Sequence, residues 1–530
     1  MKAIARPCIG ALALVSLAST PARAAGSATG AEDKPGSLYL QCDGQPNNMT
    51  TGESAARLLG AVTLLGLFAP RVEAADASKR KFGAEGVSVC TALLDGEKKE
   101  GNPSRRVDLL LGRAIHQIEA KNYQAAITDA GLARREAEAA GLMSDPYYAR
   151  SQGRAFGLVE AAALYRLDRV DEARDTALRD TTAARHSFMN LISVPSYLLG
   201  GYTPSETESA YIGWRARAGV TGAALSAKRL EEWGKFAEAA QVRDALADFN
   251  LAATPDLQSS ALLAQAAVTH ALAGNDAIAA ERAAAARTNF EKRRDEGKPE
   301  GNGSEIVELL DLYSILHTAK AGDLKTARRL FAARSQWVAA SFGCVVEATR
   351  RLRDGAAADE MIGGLANAPE TMRKDRDTAT RAETLAKDTD NKTLFWLLPG
   401  VDPAKRYEAV SKQVWRTDKS KLLLQVKDTD QVKFKMERLF LYGFDTDVLV
   451  DAYALHAALL AKSRGQQGFV IMPSLVGGTL IANFRTGNRG EPGLPDVLFN
   501  DADEVIADLS KIIPDPETLK ALQARRAAAR

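Results

Sequence analysis

Between residues 104 and 340, apolar and polar positions follow the period of amphipathic helices, interrupted by short turn signals. The same helix opening recurs after each interruption. "KNYQAAITDAGLA" from Lys121 is followed by "RVDEARDTALRD" from Arg169, "KFAEAAQVRDAL" from Lys235, "NDAIAAERAAAA" from Asn275 and "GDLKTARRLFAA" from Gly322. Each phrase sets an alanine early in its helix: Ala126, Ala173, Ala239, Ala279 and Ala327. Counting back twelve residues from each gives Ala114, Ala161, Ala227, Ala267 and Ile315. These lie in preceding amphipathic runs such as "VDLLLGRAIHQIEAK" and "ALLAQAAVTHALAG". The turn signals between the runs are Lys121-Asn122, Asp168-Arg169, Gly234-Lys235, Gly274-Asn275 and Gly322-Asp323. The pattern predicts antiparallel helical hairpins whose two helices approach closely because each carries a small residue where they cross. One hairpin cannot bury its apolar face alone, so the hairpins are expected to stack.

The pairing of Ala114 with Ala126, Ala161 with Ala173 and Ala267 with Ala279 resembles the tetratricopeptide repeat family, in which small residues stand at positions 8 and 20 of each repeat. The family's small residue at position 27 fits Ala133 and Ala286 and fails at Asp180, Leu246 and Arg334. The spacing also departs from the family's period of about 34 residues. The intervals are 173−126 = 47, 239−173 = 66, 279−239 = 40 and 327−279 = 48. Helices are therefore lengthened, or inserts separate the hairpins. The longest interval holds "SVPSYLLGGYTPSETES" from Ser193, read as an Ω-type loop or a kink between two stacks. "RRDEGKPEGNGSE" from Arg293 reads as an exposed loop. The resemblance implies a mainly α fold, a TPR-like helical-hairpin solenoid, with its repeats over 104–390.

The texture changes after Asn391, and 391–530 reads as a smaller α+β module. "KSKLLLQVK" from Lys419 is strand-like, and "DTDVLVDAYALHAALLAKSRG" from Asp445 is a capped helix ended by Gly465. "GFVIMPSLV" and "TLIANFRTG" predict two strands turning at Gly477-Gly478, and "NDADEVIADLSKII" from Asn500 predicts a closing helix. This ending is similar to small α+β modules of secreted proteobacterial proteins and lipoproteins, which carry no transferable function.

Residues 1–24 read as an address. Lys2 and Arg6 form a positive n-region, Cys8 to Ala18 a short apolar stretch, and Ala22 to Ala24 a cleavage site. An uncleaved membrane anchor is the competing reading, but the apolar stretch is short for a span. Export to the periplasm is expected. The segment 25–103 is bracketed by Cys42 and Cys90, the preferred disulfide pair in an oxidising compartment, which leaves Cys344 single. Three unpaired buried thiols are the alternative. Within the bracket, Leu58 to Pro70 is an apolar run of thirteen residues, read as a buried helix because a span needs about 20.

Charge narrows the functional classes. Lys plus Arg number 69 against 67 for Asp plus Glu, so no field exists to hold a polyanion, and no nucleic-acid partner is expected. The sequence has no nucleophile elbow, Walker A loop, zincin helix or C-x-x-C, and no cofactor or metal is expected. "TGNRGEPGLP" from Thr486 reads as a plain turn rather than a phosphate cradle, since Pro492 and Pro495 remove two amide donors. "DTDNKT" and "DTDQVK" lack the glycine and glutamate of a calcium loop. His116, His270 and His317 fall at comparable places late in three first helices and read as packing residues; His186 and His456 complete the set.

The expected function is a protein- or peptide-binding scaffold, with no reaction identified. In tetratricopeptide-like repeats the concave wall comes from the first helices. The resemblance therefore implies wall positions at Glu119, Tyr165, Arg166, Lys228, Glu232 and Lys320. Two alternatives stand beside it. One is an enzyme, a hydrolase for example, with a pocket between the solenoid and the C-terminal module; Arg485, Arg489, Asp501 and Asp503 are its candidate residues. The other is a structural component of the cell envelope. Export itself makes a direct prediction: intact-mass measurement of envelope-fraction protein should show a chain starting near Ala25, and a retained Met1 in the cytoplasm would contradict it.

Overall fold

The structure is a computed structural model that describes residues 36–47, 73–97, 99–181, 184–253, 259–334, 336–389, 393–398, 404–415, 429–431, 434–440, 446–476 and 479–528. The leader, the Leu58 to Pro70 run, the "KSKLLLQVK" segment and the Gly477-Gly478 turn lie outside these residues. The protein is mainly α, with many helices packed against one another and a small antiparallel sheet near the C-terminus. It divides into two compact units: Gly30–Gly201 with Ala379–Tyr407, and Tyr202–Thr378 with Glu408–Arg530. These cut across the boundaries read from the sequence. The break at Gly201 falls inside the proline- and glycine-rich interval, and residues 379–407 return to the first unit through side-chain contacts that have no periodic signature.

All five expected hairpins form. They are Pro103–Glu119 with Tyr123–Ala139, Gln152–Arg166 with Val170–Arg179, Val220–Glu232 with Phe236–Ala253, Ser260–Ala273 with Asp276–Asp295, and Gly303–Lys320 with Leu324–Ala333. Their turns share one backbone device. The residue five before each marker alanine takes a left-handed conformation: Lys121 at φ 64°, Asp168 at 66°, Gly234 at 73°, Gly274 at 83° and Gly322 at 95°. The next amide then reaches back five residues. Asn122 N donates to Gln117 O at 2.8 Å, Arg169 N to Leu164 O at 3.0 Å and Lys235 N to Leu230 O at 2.9 Å. Asn275 N donates to His270 O at 2.9 Å and Asp323 N to Thr318 O at 3.2 Å. This is the Schellman closure of a helix C-terminus, and it points the second helix back along the first. The alanines at the crossings are essentially inaccessible: Ala114, Ala126, Ala161, Ala173, Ala227, Ala239, Ala267 and Ala327 at 0% and Ala279 at 1%.

In the first unit, a disulfide joins Cys42 to Cys90 with Cα atoms 5.0 Å apart, tying the helix Leu38–Asp43 to the helix Gly83–Asp95. Both dock on the first hairpin. A Cβ at Gly86 would collide with the ring of His116, so glycine is what allows that approach. The His116 Nδ1 lies 2.7 Å from Glu119 Oε2 and its Nε2 lies 2.6 Å from Cys42 O, both fully enclosed. Arg105 is 1% exposed and grips Asp43 through both terminal nitrogens. Asp108 sits beside this pair, its carboxylate oxygen 3.9 Å from Arg105 Nη1. Burial pushes Asp108 up to about 7, with the Arg105 charge opposing and the Asp43 charge adding.

The second unit is built on a core running through Ala264, Ala267, Ala279, Leu309, Leu312, Ala327 and Phe331. A charged network crosses it. Arg243 is bidentate to Glu231 at 3.0 Å, and Thr269 Oγ1 donates to the same carboxylate at 2.8 Å. Burial opposes both charges, yet their mutual bond holds Glu231 low and Arg243 high. Cys344, the free thiol, is buried beside them and pushed up by that burial. The sheet comprises β1 (Thr429–Gln431), β2 (Phe434–Phe440), β3 (Gly468–Val476), β4 (Thr479–Gly487) and β5 (Asn500–Asp501) in the order β1-β2-β4-β3-β5, antiparallel throughout. The expected strand pair is β3 and β4, in register Ile471 to Phe484, with the helix Thr446–Ser463 against them. Strand β2 was not foreseen: "FKMERLF" carries three charges in seven residues and no turn signal marks its ends.

Two predictions follow from this packing. Ala126→Leu and Ala279→Leu should each destabilise by about 1 to 3 kcal/mol, because the crossings have no room for added carbons. Lys121→Gly should act oppositely, since it relieves about 1 kcal/mol of left-handed strain. Denaturant titration reads both, and hydrogen exchange should loosen first in the altered hairpin. The second prediction concerns pH. A carboxyl whose folded pKa exceeds its unfolded value contributes stability that is complete below about pH 4 and lost as pH rises through 7. Asp108 should therefore weaken the fold across that window by no more than about 4 kcal/mol, from the pKa difference. Asp108→Asn should flatten the urea midpoint between those pH values.

Candidate functional site

Three of the six residues implied for a binding wall turn out to touch the protein's own later segment. In the first unit, Tyr165 and Arg166 close the helix Gln152–Arg166 and are 5% and 6% exposed. Arg166 Nε donates to Asp388 Oδ2 at 2.7 Å, and its Nη2 bonds the other oxygen of the same carboxylate. Burial works against the Arg166 charge, and Asp388 and Tyr197 more than offset it, so the guanidinium is held charged. Arg381 donates to the carbonyls of Tyr165 at 2.8 Å and Arg166 at 3.2 Å. Those carbonyls form the negative end of the helix, where a cation is favourable. The Arg381 guanidinium also lies over the Tyr165 ring at 5.4 Å and 3.1 Å from Asp168.

A similar arrangement occurs within the second unit. Glu232 accepts from Arg229 Nη1 at 2.7 Å, and Arg376 Nη1 lies 2.7 Å from its other oxygen as an ion pair. Arg376 lies over the Phe342 ring at 4.3 Å, and Arg373 lies over the Tyr202 ring at 5.0 Å. Tyr202 donates its hydroxyl to Asp377 at 2.9 Å; burial, and then that bond, raise its pKa. Arg373, Arg376 and Arg381 all belong to the helix Pro369–Ala386, whose only buried residue is Pro369. This helix has no apolar stripe. Charge pairs and arginine–aromatic contacts hold it, a mode that salt weakens.

The remaining wall residues behave differently. Glu119 is buried: it accepts from Gly83 N at 2.9 Å and pairs with His116. It belongs to the packing of the N-terminal helices, which the repeat pattern alone could not reveal. Lys228 is half-buried one turn before Glu232. Lys320 is exposed, with its amine 3.6 Å from Asp276. Glu119, Tyr165 and Arg166 are therefore not open groove residues, because segments distant in sequence cover them.

In the C-terminal module, Arg489, Asp501 and Asp503 line one open crevice of about 820 Å³ with Lys462, Gln466, Gln467 and Asp496. Arg485 does not join them; its Nη1 donates to the Pro492 carbonyl. The crevice charges are internally matched. Lys462 lies 2.9 Å from Asp503, Arg489 lies 3.6 Å from Asp496, and Asp501 caps the helix Ala502–Leu509 by accepting from Asp503 N and Glu504 N. Its lining contains no serine, cysteine or histidine, and the carboxylates and amine that it does contain are held in these pairs and the cap. Among the described residues, no group of His, Cys, Asp and Glu is arranged to hold a metal ion. The histidines serve packing: His270 Nε2 lies 2.7 Å from Asp244, His317 stacks on Tyr313, and His456 Nδ1 meets Val414 O at 2.8 Å. No helix among the described residues is long and apolar enough to cross a membrane. No protein-family model matches the chain, and no match is found among curated proteins or solved structures.

Proposed function

We propose that this is an exported, periplasmic scaffold of tetratricopeptide-like hairpins that binds a segment of another protein. The single observation that carries the proposal is the engagement of Tyr165 and Arg166 by Arg381 and Asp388, within the first unit. Two positions that the repeat register assigns to the wall touch a polar segment of the same chain, which supports the reading. The helix Pro369–Ala386 is accordingly a resident ligand, and a partner presenting arginines and carboxylates at helical spacing would compete for the same groups. The enzyme alternative is weaker, since the ionisable groups of the C-terminal crevice are engaged with one another in ion pairs and a helix cap.

Competition tests this directly. Immobilised mature protein should retain a defined set of proteins from periplasmic extract, and a synthetic peptide of residues 369–389 should release them. The double variant Arg376→Ala, Arg381→Ala should retain more, because the resident helix is loosened. Absence of retention by both proteins would overturn the binding reading. Retention that the peptide leaves unchanged would move binding off this face.

A further inference from the structure

The first unit holds a polar cluster that neither the wall nor the crevice accounts for. It lies where the first hairpin meets the second. Asp108 comes from the helix Pro103–Glu119, while Tyr148 and Gln152 flank the break at Ser151 between the helices Pro146–Arg150 and Gln152–Arg166. Ser151 sits at φ −99° and ψ −84°, outside helical geometry. Gln152 Nε2 donates to Asp108 Oδ1 at 2.7 Å. The amide oxygen of that same Gln152 makes no hydrogen bond among the described residues, although the residue is only 3% exposed. The Tyr148 hydroxyl is likewise buried without a partner, at 4% exposure. Burial raises the Tyr148 pKa, and the nearby Asp108 charge raises it further. The Asp108 side chain is 25% exposed, which gives the cluster a way in. Other buried polar atoms of the protein also lack partners, but here two oxygens without partners belong to one cluster with a carboxylate, and each such group costs about 1 to 3 kcal/mol.

The charge balance decides what would satisfy them. Asp43 and Asp108 contribute two negative charges, and Arg105 contributes one positive charge already engaged by Asp43. With Asp108 ionised, one negative charge is left over; that disfavours an anion, and a bound cation would favour the ionised form. The free positions are acceptors: the second Asp108 oxygen, Gln152 Oε1 and Tyr148 Oη. A primary ammonium has three donors and no acceptor. We propose that Asp108, Gln152 and Tyr148 form a binding site for a primary alkylammonium group. The site does not rest on the scaffold reading. Two sources share this chemistry, the amino terminus of a peptide and a free diamine.

Calorimetric titration of the full mature chain separates these sources. The probes are triglycine amide, 1,4-diaminobutane and, as the control, N-acetyl-triglycine amide. One or both amines should bind at about 1 mM or tighter with one site, and the acetylated peptide should not bind. Whichever amine binds names the source. Tyr148→Phe, which removes only one hydroxyl, should weaken binding several-fold, and Asp108→Asn should weaken it at least about tenfold. Because Asp108 is partly protonated at neutral pH beside Asp43, Arg105 and Tyr148, binding should release protons, and the heat should differ between phosphate and Tris buffers. Tyr148→Phe keeps the test informative if Asp108→Asn fails to fold. The proposal is overturned if neither amine saturates the protein, if the acetylated peptide binds equally well, or if Tyr148→Phe binds unchanged.

Discussion

Two helices can lie antiparallel and in close contact only if the chain reverses tightly and nothing bulky stands at the crossing. Each of the five hairpins meets both conditions in the same way. A left-handed residue closes the first helix, its neighbour's amide bonds back five residues, and the alanine five positions on is buried at 0 or 1% exposure. Lys121 and Asp168 adopt this conformation without being glycine, so the reversal is enforced even where it is strained. Ile315 is the exception at the crossing. It is 4% exposed and belongs to the same buried cluster as Ala327 at 0%, so one small residue suffices there. Stacking then follows, because a hairpin closed this way presents apolar faces on both sides.

The alanine-rich crossings leave little apolar volume per residue, and buried charge supplies part of what large side chains would otherwise do. Arg243 with Glu231, Arg229 with Glu208, and Arg105 with Asp43 each join different helices through enclosed bidentate or charge-assisted bonds. Such pairs are poor sources of net stability but demanding in geometry, since an unmatched partner would be costly. They specify which helix lies against which. The same chemistry holds the helix Pro369–Ala386 nearer the surface, where water and salt compete and the contact is correspondingly exchangeable.

Much of the fold was legible in the residues themselves. The hairpins, their turns, the β3 and β4 strands and the final helices all carry local signals: periodicity, a cap, a glycine or an abrupt apolar run. The Cys42–Cys90 pair was preferred because those cysteines bracket one segment, and the structure joins them. The site was legible only in part. Tyr165, Arg166 and Glu232 were marked by register within a repeat, and Arg489, Asp501 and Asp503 by their chemistry. Glu119 is not an open wall position because the Gly83 amide, 36 residues away in the chain, packs onto it, a contact that register does not encode. Asp108, Tyr148 and Gln152 carry no motif at all.

By itself, then, the order of residues determined the helices and where each reverses, because those depend on forces acting within a few positions of the chain. It also determined the small residues at each crossing, because close approach demands them at a fixed count from the turn. Only the tertiary structure decided that residues 379–407 return to the first unit, that Arg381 seats itself on the end of the helix Gln152–Arg166, and that the Asp108 carboxylate of the first hairpin meets the Gln152 amide of the next. Those outcomes join positions from about forty to more than two hundred residues apart. They depend on burial and charge balance, which exist only once distant segments have met.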